Sequence, residues 1–302
     1  MYELKLDLDP LLKKMELMTR KEVLGATGGI GGAQARQVGS KHAMFKSKGL
    51  EFQKFREYAP SDDANKIDWI ASLRASKVLI RVYSEEQTKD IIFFLDVSSS
   101  MSYSSFGKLK NEFAAELIAS LSHALSNSGD PLGLTIFTNK IVHHLSPNVG
   151  PQQHQKIVKT LTDPTFYEGK YDLIKSLSQL VGMLKKKTVI ILISDFIGLQ
   201  DNWEHSFKGI ATNSNIMGIM IRDPLDDVFP EGHFVGQVVL SDPFSDDEAL
   251  IDPNKVREKY EEHNKKKTEE IEHAFKSTRS EFIKLYTNES FIDPMRKFFL
   301  NQ

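Results

Sequence analysis

Two short stretches of this chain are apolar without a break, Ile91–Leu95 and Val189–Ile193. A strand with one wet face alternates apolar and polar side chains. A strand with no polar face must be covered on both sides, which is the habit of parallel sheets wrapped by helices. Each run stops at acid: Asp96 follows the first directly, and Ser194-Asp195 follow the second. Between and after them strand and helix periods alternate. Leu109, Phe113, Leu117, Leu121 and Leu125 recur every four residues as one helical stripe. Leu132–Phe137 and Ile141–Leu145 read as strands, Ile157 with Leu161 and then Leu173, Leu177, Leu180 and Leu184 as two helices. A helix near Trp203–Ala211 and a strand at Ile216–Ile221 follow. The pattern predicts an α/β, Rossmann-like fold with a mostly parallel central sheet and helices on both faces.

The flanks are less regular. Residues 1–88 are expected to form an N-terminal segment of short helices and strands, and residues 89–302 the α/β domain with a C-terminal extension. Within the first, Asp9–Val23 has the spacing of an amphipathic helix, Gly25–Gly32 that of an exposed loop, and Leu50–Phe55 and Val78–Tyr83 those of strands around a short helix at Ile67–Leu73. Near the end, a strand at Val235–Leu240, an acidic loop holding Asp242, Asp246, Asp247, Glu248 and Asp252, and a charged helix at Pro253–Ser277 are expected. That helix has a thin apolar stripe and is expected to stand partly off the body. A strand at Phe282–Tyr286 and a terminal helix close the pattern.

Composition removes several function classes. The 302 residues are 40% hydrophobic and 26% charged, which suits a packed globular chain and not a disordered one. With 39 basic and 41 acidic side chains the net charge is −2, so there is no global pull toward nucleic acid or anionic lipid. The absence of cysteine removes disulfide scaffolds, thiolate metal sites and cysteine nucleophiles. Apolar runs of about five residues fall far short of the roughly 20 that cross a bilayer. Met1–Pro10 lacks the basic-then-apolar order of a signal peptide, and a cytoplasmic location is expected. Gly25–Gly32 follows no buried strand and has no Gly-Lys-Ser/Thr ending, so it is not read as a phosphate loop.

In an open parallel sheet, ligands bind beyond the carboxyl ends of the strands, where the topology reverses. Asp96-Val97-Ser98-Ser99-Ser100-Met101 and Ser194-Asp195-Phe196 lie there. Two carboxylates and several hydroxyls are hard oxygen donors of the kind Mg²⁺ prefers, and alternate side chains of Asp96, Ser98 and Ser100 are suited to face one point. The bland alternatives are serines capping the next helix and Asp195 as a turn residue.

Asp96-x-Ser98-x-Ser100 after a buried strand, with Asp195 after a later one, resembles the metal-ion-dependent adhesion site of von Willebrand factor A domains. A longer set resembles the bacterial DUF58 family: Phe55-Arg56-Glu57-Tyr58, Asp62-Asp63, Ile67-Asp68-Trp69, Arg74, Arg81, Glu85 and Asp96–Met101, with Leu240-Ser241-Asp242-Pro243, Asp252-Pro253 and Arg257-Glu258-Lys259-Tyr260 in the tail. The resemblance spans nearly everything from about Gly49 onward. It implies a von Willebrand factor A-like fold, a partnership with MoxR-type AAA+ ATPases as adaptor or chaperone-like protein, and no enzymatic activity. It also implies a Mg²⁺ site at Asp96, Ser98, Ser100 and Asp195. One departure matters. The adhesion site also draws a threonine from a Gly-Gly-Thr-Asp-Leu-like loop, and here Gly169-Lys170-Tyr171-Asp172-Leu173 places Tyr171 there. A phenol cannot simply take over a hydroxyl about 2.1 Å from Mg²⁺, Lys170 adds a competing charge, and Thr165 would substitute only after rearrangement.

Three functions follow as expectations. The first is an interaction module whose Mg²⁺ edge captures a partner carboxylate. The second is a metal-free scaffold binding through the same edge or through the Arg56–Arg74 segment, for which an internal Arg–Asp network is the preferred structural reading. The third is a Mg²⁺-dependent phosphatase with Asp96 as nucleophile. That one is disfavoured because Ser98 stands where the second acid belongs, and a serine hydroxyl does not titrate near neutral pH.

Overall fold

The computed structural model describes residues 50–59, 62–63, 67–75, 77–85, 89–105, 107–184, 188–229, 237–245 and 247–300. The expected helix at Asp9–Val23 and the loop at Gly25–Gly32 lie outside these. Contacts cluster into two units, one within Val38–Thr88 and one carrying Lys89–Gln302.

The smaller unit is a hairpin with a helix. β1 (Leu50–Glu57) pairs antiparallel with β2 (Leu79–Glu85), and the register slips between Phe52 and Lys54. Helix α1 (Trp69–Ala75) begins at Asp68, whose Oδ1 accepts from the amides of Ile70 and Ala71. Ser72 ties the helix to the hairpin: its hydroxyl donates to Asp68 O and accepts from Leu79 N. Arg56 Nη2 pairs with Asp62 Oδ1 at 2.7 Å, so that part of the anticipated Arg–Asp network is present.

The larger unit is built on a six-stranded sheet. Its strands are β3 (Asp90–Asp96), β4 (Leu132–Phe137), β5 (Ile141–Asn148), β6 (Thr188–Ser194), β7 (Asn215–Arg222) and β10 (Glu281–Tyr286), in the spatial order β10-β7-β6-β3-β4-β5. All neighbours are parallel except the β4–β5 hairpin. Every residue of β4 and β6 is buried, as uninterrupted apolar strands require.

Period-two alternation sends successive side chains to opposite faces. Ile92, Phe94, Ile190 and Leu192 share one core with Leu173, Leu177 and Leu180 of α4 (Leu173–Met183) and with Trp203 and Phe207 of α5 (Trp203–Ala211). Ile271, Ala274 and Phe275 of the long helix α7 (Pro253–Ser277) join the same core. Helices α2 (Lys110–Ser128) and α3 (Pro151–Leu161) pack on each other, and α2 also contacts β3, β4 and β7. A four-residue helix α6 (Pro224–Asp227) follows β7, and α8 (Ile292–Leu300) follows β10. The mixed α/β architecture with a mostly parallel sheet is the one expected.

Two expectations are corrected. The acidic stretch after Leu240 is not only loop, because β8 (Val238–Ser241) pairs with β9 (Glu248–Ile251) as a hairpin. Helix α7 does not stand off the body: Phe275 is fully buried, and nearer the other end Tyr260 donates its hydroxyl to Leu225 O at 2.8 Å. The thin stripe was misleading because Phe275 alone meets three rings, Phe196, Phe207 and Phe282.

Candidate metal-binding rim at the carboxyl edge

The chain leaves β3 toward β4 on one side and returns to β6 on the other, so β3 and β6 flank the point where the strand order reverses. Their register pairs Leu95 with Ile193. One step further, Asp96 and Ser194 are side by side, with Asp195 next. The two acids that are 99 positions apart in sequence thus meet because two apolar strands of matching length end together.

A bonded rim joins them. Ser194 Oγ donates to Asp96 Oδ2 at 2.6 Å, and Ser100 Oγ donates to Asp195 Oδ1 at 3.1 Å. Ser98 and Ser100 hydroxyls lie 3.3 Å apart. Backbone amides hold both acids in place: Ser98 N donates to Asp96 Oδ1 and Ile197 N to Asp195 Oδ1. Asp96, Ser98, Ser194 and Asp195 are all fully buried, and Ser100 nearly so. The four residues anticipated from the sequence therefore converge. Residues 99–102 form a 3-10 turn, and Ser99 clasps the neighbouring loop: its amide and hydroxyl donate to Gly169 O, while its oxygen accepts from Gly169 N.

Electrostatics distinguishes the two acids. Burial, and then the charge of Asp195, raise the Asp96 carboxyl to about 7 against the hydrogen bonds from Ser194 and Ser98. Among the described residues no lysine or arginine pairs with Asp96. Asp195 is different: the Lys110 ammonium, itself buried, lies 2.7 Å from its Oδ2 and 3.0 Å from Asp226 Oδ2. Burial works against the Lys110 charge, but the two carboxylates outweigh it and hold the lysine above its ordinary value.

Lys110 and Asp226 were not anticipated. Lys110 opens α2, where a cation opposes the helix dipole, and such a misplaced charge implies a nearby carboxylate. Asp226 belongs to the turn after β7, a third strand whose carboxyl end obeys the same placement rule.

The other expected participants sort differently. Lys170 is exposed, and Thr165 is an exposed residue whose hydroxyl donates to Asp163, so neither joins the rim. Asp172 caps α4 by accepting from Lys175 N. Tyr171 is buried, its ring tilted against Phe137 and stacked near Phe244, and its hydroxyl lies within hydrogen-bond distance of Ser194 Oγ, at 3.2 Å. Burial, with Asp96 next to it, pushes that phenol well above its ordinary range, so it stays protonated. His143 and His144 do not act together: His143 lies against the Phe166 ring and His144 Nδ1 bonds Thr135.

The donor set suits a hard divalent cation. Asp96, Asp195, Ser98 and Ser100 offer only oxygen, and Asp96 has no counter-charge of its own. Among the described residues no three His, Asp or Glu side chains form a metal-holding group, so any site here needs its serines.

Comparison with known proteins bears out the DUF58 part of the sequence resemblance. The model of the family described as a protein of unknown function, DUF58, matches residues 54–270. The chain belongs to this family. Relatives in sequence include uncharacterized proteins of Mycobacterium bovis and Mycobacterium tuberculosis, each 26% identical over 223 residues, covering 71% of this chain and 69% of theirs. Among solved structures, the conserved hypothetical protein BatB of Bacteroides thetaiotaomicron is 13% identical, covering 70% of this chain and 97% of its own, with a TM-score of 0.46. An aerotolerance-related membrane protein of Bacteroides fragilis is 13% identical over 71% of this chain and all of its own, with a TM-score of 0.47. A von Willebrand factor type A protein of Catenulispora acidiphila is 15% identical over 48% of this chain and 35% of its own, with a TM-score of 0.32. Likenesses at this level carry no functional argument, and the fold of this DUF58 chain rests on its strand order. Among the described residues no helix is long and apolar enough to cross a membrane.

Proposed function

We propose that this DUF58 protein is a non-enzymatic interaction module that captures a partner carboxylate at the carboxyl edge of its sheet. The observation carrying this reading is the bonded rim of Asp96, Ser98, Ser100 and Asp195, in which one buried carboxylate lacks a counter-charge. In this reading those four residues hold Mg²⁺, which supplies an open coordination position for an oxygen of the partner. The chain's own part is orientation. Ser194 and the Ser98 amide fix Asp96, Ser100 and the Ile197 amide fix Asp195, and the Ser99–Gly169 clasp fixes the loop beside them. A preset rim spends little ordering entropy on capture. A MoxR-type AAA+ ATPase is the partner class that the family resemblance suggests, and the module would work beside it in the cytoplasm. The absence of catalysis is part of the proposal: Ser98 spends its hydroxyl on Ser100, and no titrating acid takes its place next to Asp96.

A metal-free scaffold is the second reading, favoured by the Lys110–Asp195 pair and by Tyr171 at the threonine position. The test is binding of a purified MoxR-type ATPase from the same cell in Mg²⁺ and in EDTA, with wild type and Asp96→Asn. Binding that EDTA and Asp96→Asn both abolish supports the first reading. Binding indifferent to both supports the scaffold and overturns the metal-dependent mechanism.

A further inference from the structure

The Lys110 side chain is a feature of the rim that the adhesion-site reading does not use. Its ammonium is 2.7 Å from Asp195 Oδ2 and 3.0 Å from Asp226 Oδ2, with the Tyr103 ring centroid at 5.9 Å. It is 1% exposed. Asp226 is itself held, since its Oδ2 accepts from Asp223 N, and Asp223 in turn accepts from Ser105 N and the Ser105 hydroxyl. The ammonium thus has two carboxylate partners on opposite elements, one in the rim and one outside it.

We propose that Lys110 is a tethered counter-cation that competes with a divalent ion for Asp195 and sets the affinity of the rim. This rests on the divalent-cation reading above. A divalent ion and an ammonium sharing one carboxylate repel each other in a buried place where water screens little. Asp195 Oδ2 donates its lone pairs to one cation at the expense of the other. The second partner makes the exchange feasible: when Asp195 turns to an incoming ion, the ammonium keeps Asp226, so no lysine charge is stranded in the interior. The rim is then self-neutralised when empty of metal on the Asp195 side, and uncompensated on the Asp96 side. Affinity is accordingly weaker than the same oxygens would give without Lys110, which makes capture dependent on the divalent level and reversible.

The test is Mn²⁺ titration followed by the electron paramagnetic resonance signal of free Mn²⁺, on the full chain. Lys110→Met alone leaves Asp195 and Asp226 buried without their cation and is at risk of not folding. Lys110→Met/Asp226→Asn removes one charge of each sign, keeps the net charge of the wild type, and frees Asp195. The double variant is expected to bind Mn²⁺ about tenfold more tightly or better, a gain of about 1.4 kcal/mol. Lys110→Arg, which keeps the charge, is expected to show no such gain. Detectable binding only in the double variant would support the proposal in its strongest form. Equal affinity of wild type and double variant, with loss in Asp96→Asn, overturns the role of Lys110 and leaves the divalent reading standing. Binding that Asp96→Asn leaves unchanged overturns the divalent reading, and this proposal with it.

Discussion

Replacing Asp96 by asparagine should stabilise this protein in chelator at alkaline pH while abolishing its capacity for a divalent ion. The carboxyl is fully buried and is raised from 3.8 to about 7 by burial and by Asp195. A carboxyl whose folded value exceeds its unfolded one binds more protons folded than unfolded. Stability therefore falls as pH rises through the window from about 4 to about 7, and the penalty is complete above it. Roughly three decades at about 1.4 kcal/mol each bound the penalty at about 4 kcal/mol. Asparagine escapes it at little cost in hydrogen bonds. Its amide oxygen accepts from Ser98 N as Oδ1 does now, and its amide nitrogen donates to Ser194 Oγ, whose proton is then free for Tyr171 OH at 3.2 Å. With something lost in that rearrangement, Asp96→Asn should gain about 1–3 kcal/mol at pH 8 and change by less than about 1 kcal/mol at pH 5. Urea unfolding in EDTA at the two pH values, read at constant m-value, measures both. A variant less stable than wild type at pH 8, or a gain equal at both pH values, would refute the reasoning.

Gly218 on β7 has no room for a side chain, because an added Cβ would lie 2.5 and 2.6 Å from ring carbons of Phe275 and 3.0 Å from Phe282. Gly218→Ala should cost about 2 kcal/mol or more by pushing α7 off the sheet, and an unchanged urea midpoint would contradict that packing. Tyr171→Phe deletes only a hydroxyl bonded to Ser194, so stability should change by about 1 kcal/mol or less. Mn²⁺ affinity should not change in that variant. A weakened site would mean that the phenol oxygen is a donor after all.

The sheet was legible because its strands obey strong rules. Leu132–Phe137 and Trp203–Ala211 coincide with the observed elements, and Ile91–Leu95 and Val189–Ile193 fall one residue inside theirs at each end. The juxtaposition of Asp96 with Asp195 followed from strand ends at a topological reversal, a rule about backbone and not about side chains. What escaped was pairing across elements. The place of Lys110 at the start of α2 implies a nearby carboxylate but does not tell that its ammonium reaches Asp195, 85 positions away. Burial of α7 escaped because few residues carry it, and period counting weighs one phenylalanine like any other apolar residue. Strand β8 overlaps the strand expected at Val235–Leu240, but β9 was hidden among its acids, since Leu250 is exposed and offers no buried face to betray a strand.

The position of β10 has a consequence for how the chain is made. Ile216–Ile221 of β7 are buried, and one edge of that strand is paired with β10, which begins about 60 residues later. During translation β7 therefore emerges as an open, sticky border until Glu281–Tyr286 leave the ribosome and zip against it. Chains lacking that last strand should be the ones that clump.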